Sequence, residues 1–217
     1  MTRFVPERLA VLHRATDVGE HVALQRPSTY SESRWQDVVH GAGFSSAGER
    51  LWTLADSVRP NMALLVAGLN PSPASADSGV GFARPGNRFW PAMMAVGLAS
   101  ADRDPQAMLR DHRVGMTDLV KRTTRRADEL DAGEYQDGLA RVERLVDWLA
   151  PRAVCFVGLA GWRLAVDRKA KAGWQGREIG GRPTYVMPST SGLNASAQLP
   201  DLVAHLQIVA DRVVDLS

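Results

Sequence analysis

Short, wholly apolar runs alternate along this chain with longer stretches whose apolar positions recur every three or four residues. Residues 62–67 and Ala153–Val157 are apolar without a break, Thr184–Met187 is a further short strand, and Val114–Val120 forms a short extended piece. Runs of this length with no polar alternation predict strands buried on both faces. Between them, Leu139, Val142, Leu145, Val146 and Leu149 follow the helical spacing, which predicts an amphipathic helix over Tyr135–Leu149. Further helices are predicted near 46–57, from Asn87 with Trp90, Met93, Met94 and Leu98 on the apolar side, over Ala107–Asp111, from Gly158 to about Lys171, and over Pro200–Leu216 with proline in the first turn. Residues 70–86 read as one long loop. Strands alternating with helices predict an α/β fold, a three-layer αβα sandwich around a short, mainly parallel sheet.

The first 50 residues differ from the rest. They hold six Arg and six acidic residues with two helical patterns, near 5–14 and 31–39. The predicted organisation is a partly helical, loosely packed extension over 1–50 and one domain over 51–217. Charge balance excludes a basic tail that would tether the protein to nucleic acid.

Composition adds a few exclusions. The net charge is only +2, although 23 Arg stand against 3 Lys. Cys155 is the single cysteine, so neither an internal disulfide nor a Cys-ligated iron–sulfur cluster can form. The histidines (His13, His21, His40, His112 and His205) lack ligand spacing, and no metal or cofactor is expected. No run approaches the roughly 18 apolar residues of a membrane span. Met1–Glu7 lacks the apolar segment of a signal peptide, so a cytoplasmic protein is expected, with no membrane partner.

Three segments carry candidate chemistry, each just after a predicted strand, where parallel sheets gather ligands. Leu65–Ser72 runs through Gly68-Leu69-Asn70-Pro71, a strand entering a tight turn with one amide side chain. Such an Asn can hold a water with its carbonyl and donate from its amide. Phe82-Ala83-Arg84-Pro85-Gly86-Asn87-Arg88-Phe89-Trp90 follows a Gly-rich loop and offers an aromatic face for stacking, with Asn87 as a helix cap and Phe89 and Trp90 as core. Ser189-Thr190-Ser191-Gly192-Leu193-Asn194 places an apolar side chain on a loop of small residues. A fourth segment, Gly115–Thr124, contains Asp118, a carboxylate able to polarise a water, to cap a turn or to pair with Arg122. Arg122, Arg125 and Arg126 bracket Thr123-Thr124 and could clamp phosphates or simply be solvated.

Together and in this order, the segments resemble the mismatch-specific branch of the uracil-DNA glycosylase superfamily, over roughly residues 52–217. Gly68-Leu69-Asn70-Pro71 is similar to that family's Gly-Ile-Asn-Pro, Pro85–Trp90 to Pro-Ala-Asn-Arg-Phe-Trp, and Ser191-Gly192-Leu193 to its Ser-Gly-Leu. The resemblance implies a monofunctional glycosylase that flips uracil out of DNA, especially from G:U mismatches. Catalysis would fall to Asn70 and Asp118, and base binding to Leu69, Ser75, Phe82, Thr124 and Ser189. DNA contact would fall to Ser191, Gly192, Leu193 (the wedge), Asn194, Arg122 and Arg125. The partner would be duplex DNA containing uracil or a mismatch, met by a monomer, with single strands an open further substrate. Asp118 stands where the family carries Lys or Asn, Ala195 where it carries Arg, and Ser189 where the bacterial branch has Asn. The last two weaken an expected dependence on mispaired guanine. Lys121 is the only amine near a motif, which argues against lyase chemistry. A lesion-binding module on the same fold and a nucleoside hydrolase remain the alternatives.

Overall fold

The computed structural model describes residues 4–215. Leu216, where the last helix was expected to end, and Met1–Arg3 lie outside them. Four parallel strands form the sheet: β1 (Leu64–Gly68), β2 (Val114–Asp118), β3 (Ala153–Val157) and β5 (Thr184–Met187). A two-residue strand absent from the sequence reading, β4 (Gly173–Trp174), closes one edge antiparallel to β5, giving the order β2-β1-β3-β5-β4.

The sheet is buried on both faces, as unbroken apolar runs require. Leu64 and Val66 of β1 face a cluster with α4 (Phe89–Ala95) and α8 (Leu199–Asp215). Leu65 and Ala67 face the opposite cluster, with α6 (Ala132–Leu149) and α7 (Leu159–Ala165). The α/β three-layer expectation holds. α5 (Pro105–His112) leads into β2 and shares both clusters through Met108 and Leu109. The helix α6 starts at an Asp131–Glu134 capping box, each side chain accepting the other's backbone N–H.

Several elements differ from the sequence reading. No helix forms over 46–57, although Leu54 and Val58 are buried at helical spacing. The backbone donors there go elsewhere: Leu51 N–H to Gly43 O, Asp56 N–H to Gly41 O, and Ser57 N–H to Met116 O. The 70–86 loop holds a short helix, α3 (Pro73–Ser78), capped by Ser72 and with Pro73 in its first turn. The helix α7 stops at Ala165, short of Lys171, where Asp167 turns the chain by accepting from Lys169 N–H. Met94 is exposed and does not share the apolar side of α4.

The extension is firmly packed, contrary to expectation. Its helices α1 (Val5–Ala15) and α2 (Glu32–Gly41) enclose a small core with Phe44 fully buried. Trp148 of α6 anchors it, with Phe4 and Tyr30 rings 5.4 and 5.5 Å away and the Arg34 guanidinium over its face at 5.2 Å. Arg144 of α6 grips Asp37 through two hydrogen bonds. Among the described residues no helix is long and apolar enough to cross a membrane.

Candidate active site

The parallel register sets Gly68, last in β1, beside Asp118, last in β2. Beyond these ends the two loops stay zipped: Leu119 N–H donates to Gly68 O, Val120 N–H to Leu69 O, and Thr124 N–H to Pro71 O. Asn70 is locked within this zipper. Its Nδ2 donates to Arg122 O at 2.9 Å and to Thr124 Oγ1 at 2.8 Å, with Pro71 O a longer neighbour at 3.3 Å. Thr124 in turn donates to Arg126 O at 2.8 Å. Both amide hydrogens are therefore spent on protein, and the donor role foreseen for Asn70 is taken. This arrangement fixes the amide orientation and leaves Oδ1 as an acceptor without a partner among the described residues.

Asp118 is 7 % exposed, and no hydrogen bond to its carboxylate is found among the described residues. It lies against β1: a Cβ on Gly68 would come 2.5 Å from Asp118 Oδ1, so glycine is what lets the carboxylate settle there. Burial pushes the carboxyl up to about 6, with Asp56 adding to the rise while Lys121 and Arg141 oppose it. Those three groups form a fully buried network one layer behind. Asp56 receives Lys121 Nζ and Arg141 Nη1, both at 2.9 Å, and Thr117 Oγ1 at 2.7 Å. Arg141 Nη2 donates to Asp118 O at 2.7 Å, and Lys121 Nζ also donates to Leu54 O. Lys121 is thus an ion-pair member, not an amine open to a substrate.

Leu69, Asn70, Ser75, Phe82, Asp118, Thr124, Arg125 and Ser191 line one cavity of about 210 Å³. This is below the roughly 300–1,000 Å³ of drug-sized sites and has room for one heterocycle. Phe82 stacks one face on Phe89, centroids 4.1 Å apart and planes 18° from parallel. Its φ of +57° is a left-handed conformation that costs a non-glycine residue about 1–2 kcal/mol. Strain of this kind is tolerated where a side chain must be aimed. Ser75 is buried in α3, its Oγ 3.1 Å from that of Ser72, and is no solvated loop serine.

The C-terminal loop divides. Ser191 reaches the cavity, whereas Ser189, Gly192, Leu193 and Asn194 do not line it. Ser189 instead accepts from Ser191 N–H through Oγ and from Asn194 Nδ2 through its carbonyl. Leu193 stands 77 % exposed. Arg122 is committed elsewhere, its fork held bidentately by Glu134 Oε1 and Oε2 at 2.6 and 2.8 Å. Arg125 is exposed at the cavity with no ion pair among the described residues, and so is Arg84.

The sequence reading assigned nothing to Arg84, Leu54, Asp56, Arg88 or Arg141. For Arg141 a signal existed: it stands in the buried stripe of α6, three residues after Gly138 and four before Leu145. A cation at such a position needs a buried partner. No comparable signal marks Asp56, which lies in irregular chain.

A sequence model described as the Uracil DNA glycosylase superfamily matches residues 55–209. Among solved structures, an NMR structure of a candidate uracil DNA glycosylase from Methanosarcina acetivorans is 23 % identical, with a TM-score of 0.49. The match covers 73 % of this chain and 97 % of that one.

Proposed function

We propose that this chain, which belongs to the uracil DNA glycosylase superfamily, hydrolyses the N-glycosidic bond of uracil flipped out of DNA, G:U mismatches included. The observation that carries this reading is an Asn70 carbonyl and a buried Asp118 carboxylate, neither with a hydrogen-bond partner among the described residues, on one cavity with room for a single base.

A uracil entering the cavity stacks on the face of Phe82 that Phe89 leaves open. Asn70 Oδ1 accepts a hydrogen bond from a water. Asp118, ionised above about pH 6, polarises that water and offsets the positive charge that builds on the sugar. The C1′–N1 bond breaks with its electron pair leaving on the base, water oxygen bonds to C1′, and the water's proton passes to Asp118 and on to solvent. Thr124 is a positioning residue, because its hydroxyl is occupied by Asn70 and Arg126. Arg125 and Arg84, exposed at the cavity with no ion pair among the described residues, meet backbone phosphate, with Arg122 retained to hold the loop to α6. Leu193 fills the gap left in the stack. The buried ion pair of Lys121 supports a monofunctional reaction.

Single-turnover release of uracil from U opposite G, U opposite A and single-stranded U tests the reading. Release from U opposite G is expected, and release from all three would make the enzyme a broad uracil glycosylase. Tight binding to abasic or mismatched duplex without release would identify a lesion-binding module instead. Turnover of free deoxyuridine alone would identify a nucleoside hydrolase.

A further inference from the structure

The loop that carries Leu193 is otherwise made of small and polar residues, Ser189-Thr190-Ser191-Gly192 before it and Asn194 after it. Arg88, at the start of α4 and more than a hundred residues away in sequence, is what holds it. Its backbone N–H donates to Thr190 O at 2.9 Å. Its Nη2 donates to Ser191 O and to Asn194 O, both at 2.7 Å, and its Nη1 to Gln198 Oε1 at 3.1 Å. The two carbonyls gripped by Nη2 lie on either side of Gly192-Leu193. On the opposite side, the loop leans on the turn before α4: a Cβ at Gly192 would approach Gly86 O to 2.7 Å, so only glycine allows the contact.

From this geometry we infer that Arg88 is a positioning residue for base extrusion, acting through Leu193. The inference rests on the glycosylase reading above. A wedge pushed into a base stack is pushed back, and a loop of Ser, Gly and Asn would yield unless braced. The guanidinium fork converts the loop into a rigid arch by tying both of its feet to the helix that also carries Phe89, on which Phe82 stacks. The arch and the base-stacking ring therefore move as one body. Arg88 forms no ion pair among the described residues, and Arg88 Nε is buried without a hydrogen-bond partner.

The test is a double-mutant cycle on a U:G duplex with Arg88→Lys, Leu193→Ala and the pair. Extrusion is followed by the fluorescence of 2-aminopurine placed beside the uracil, and Arg88→Ala serves as a second, more severe variant. Lysine keeps the charge and loses the fork. Arg88→Lys should slow both extrusion and uracil release by about tenfold, the size expected for hydrogen bonds to a charged group. In the Leu193→Ala background the same change should cost less than about twofold, because a brace without a wedge has nothing to support. The pH dependence of release should not move. Additive losses, or slower release with unchanged extrusion, would overturn the inference alone. Wild type that releases no uracil from the duplex would overturn the glycosylase reading and this inference with it.

Discussion

Asp118→Asn is expected to slow single-turnover uracil release at pH 7.5 by about 10²- to 10⁴-fold, the usual yield of a positioned acid or base, while making the protein more stable. Both effects come from one cause. The native carboxyl is raised to about 6 by burial foremost and by Asp56 second, against the pull of Lys121 and Arg141. Its ordinary value is 3.8. The folded state therefore prefers the protonated form. The stability this contributes is fully present below the ordinary value and is lost as pH rises through about 6. At pH 8 the wild type bears the cost of a buried carboxylate with no hydrogen-bond partner among the described residues, and asparagine does not. Denaturant midpoints should favour Asp118→Asn at pH 8 and converge with wild type below pH 4. The wild-type rate should climb through pH 6 and level off, and the variant should lack that limb. An active variant that is less stable at pH 8 would make Asp118 a structural residue.

Asp56→Ala should be the most damaging substitution for folding, lowering stability by about 3–5 kcal/mol. It would leave Lys121 and Arg141 buried without their shared anion. Burial acts to raise the Asp56 carboxyl, but Arg141 and Lys121 outweigh it and hold the group below its ordinary value. The stability from that pairing is present at neutral pH and is lost as acid protonates Asp56. Urea unfolding at pH 7 measures the loss. The same change carries a second signature. Asp56 raises the Asp118 carboxyl, whereas Lys121 and Arg141 lower it. The surviving folded protein should therefore show its activity limb at lower pH. A loss below about 1 kcal/mol would mean the cluster is open to water.

The sheet and its long helices were legible because their burial is written into residue order. The four parallel strands and α6 stand where apolar continuity and helical spacing put them. The helix expected over 46–57 failed for a reason that spacing does not encode. Leu54 and Val58 are buried, but the backbone between them pairs with the extension and with β2. The helix α3 has ordinary start and stop signals in Ser72, Pro73 and Gly79, but at six residues it is too short to show a helical apolar spacing. In the site, Leu69, Asn70, Ser75, Phe82, Asp118, Thr124, Arg125 and Ser191 were named in advance and share one cavity. The pairing of Arg122 is not legible locally, because its partner, Glu134, is a capping residue of the next helix. Asp56 and Arg88 escaped because each acts through contacts more than fifty residues away, which no local pattern records.

The most direct test is uracil release from a U:G duplex under single-turnover conditions by wild type and by Asn70→Ala. The account predicts release by wild type and a loss of at least about 10²-fold in the variant, whose substrate affinity should persist. Equal release by the two proteins would contradict it, since Asn70 Oδ1 would then hold no reacting water.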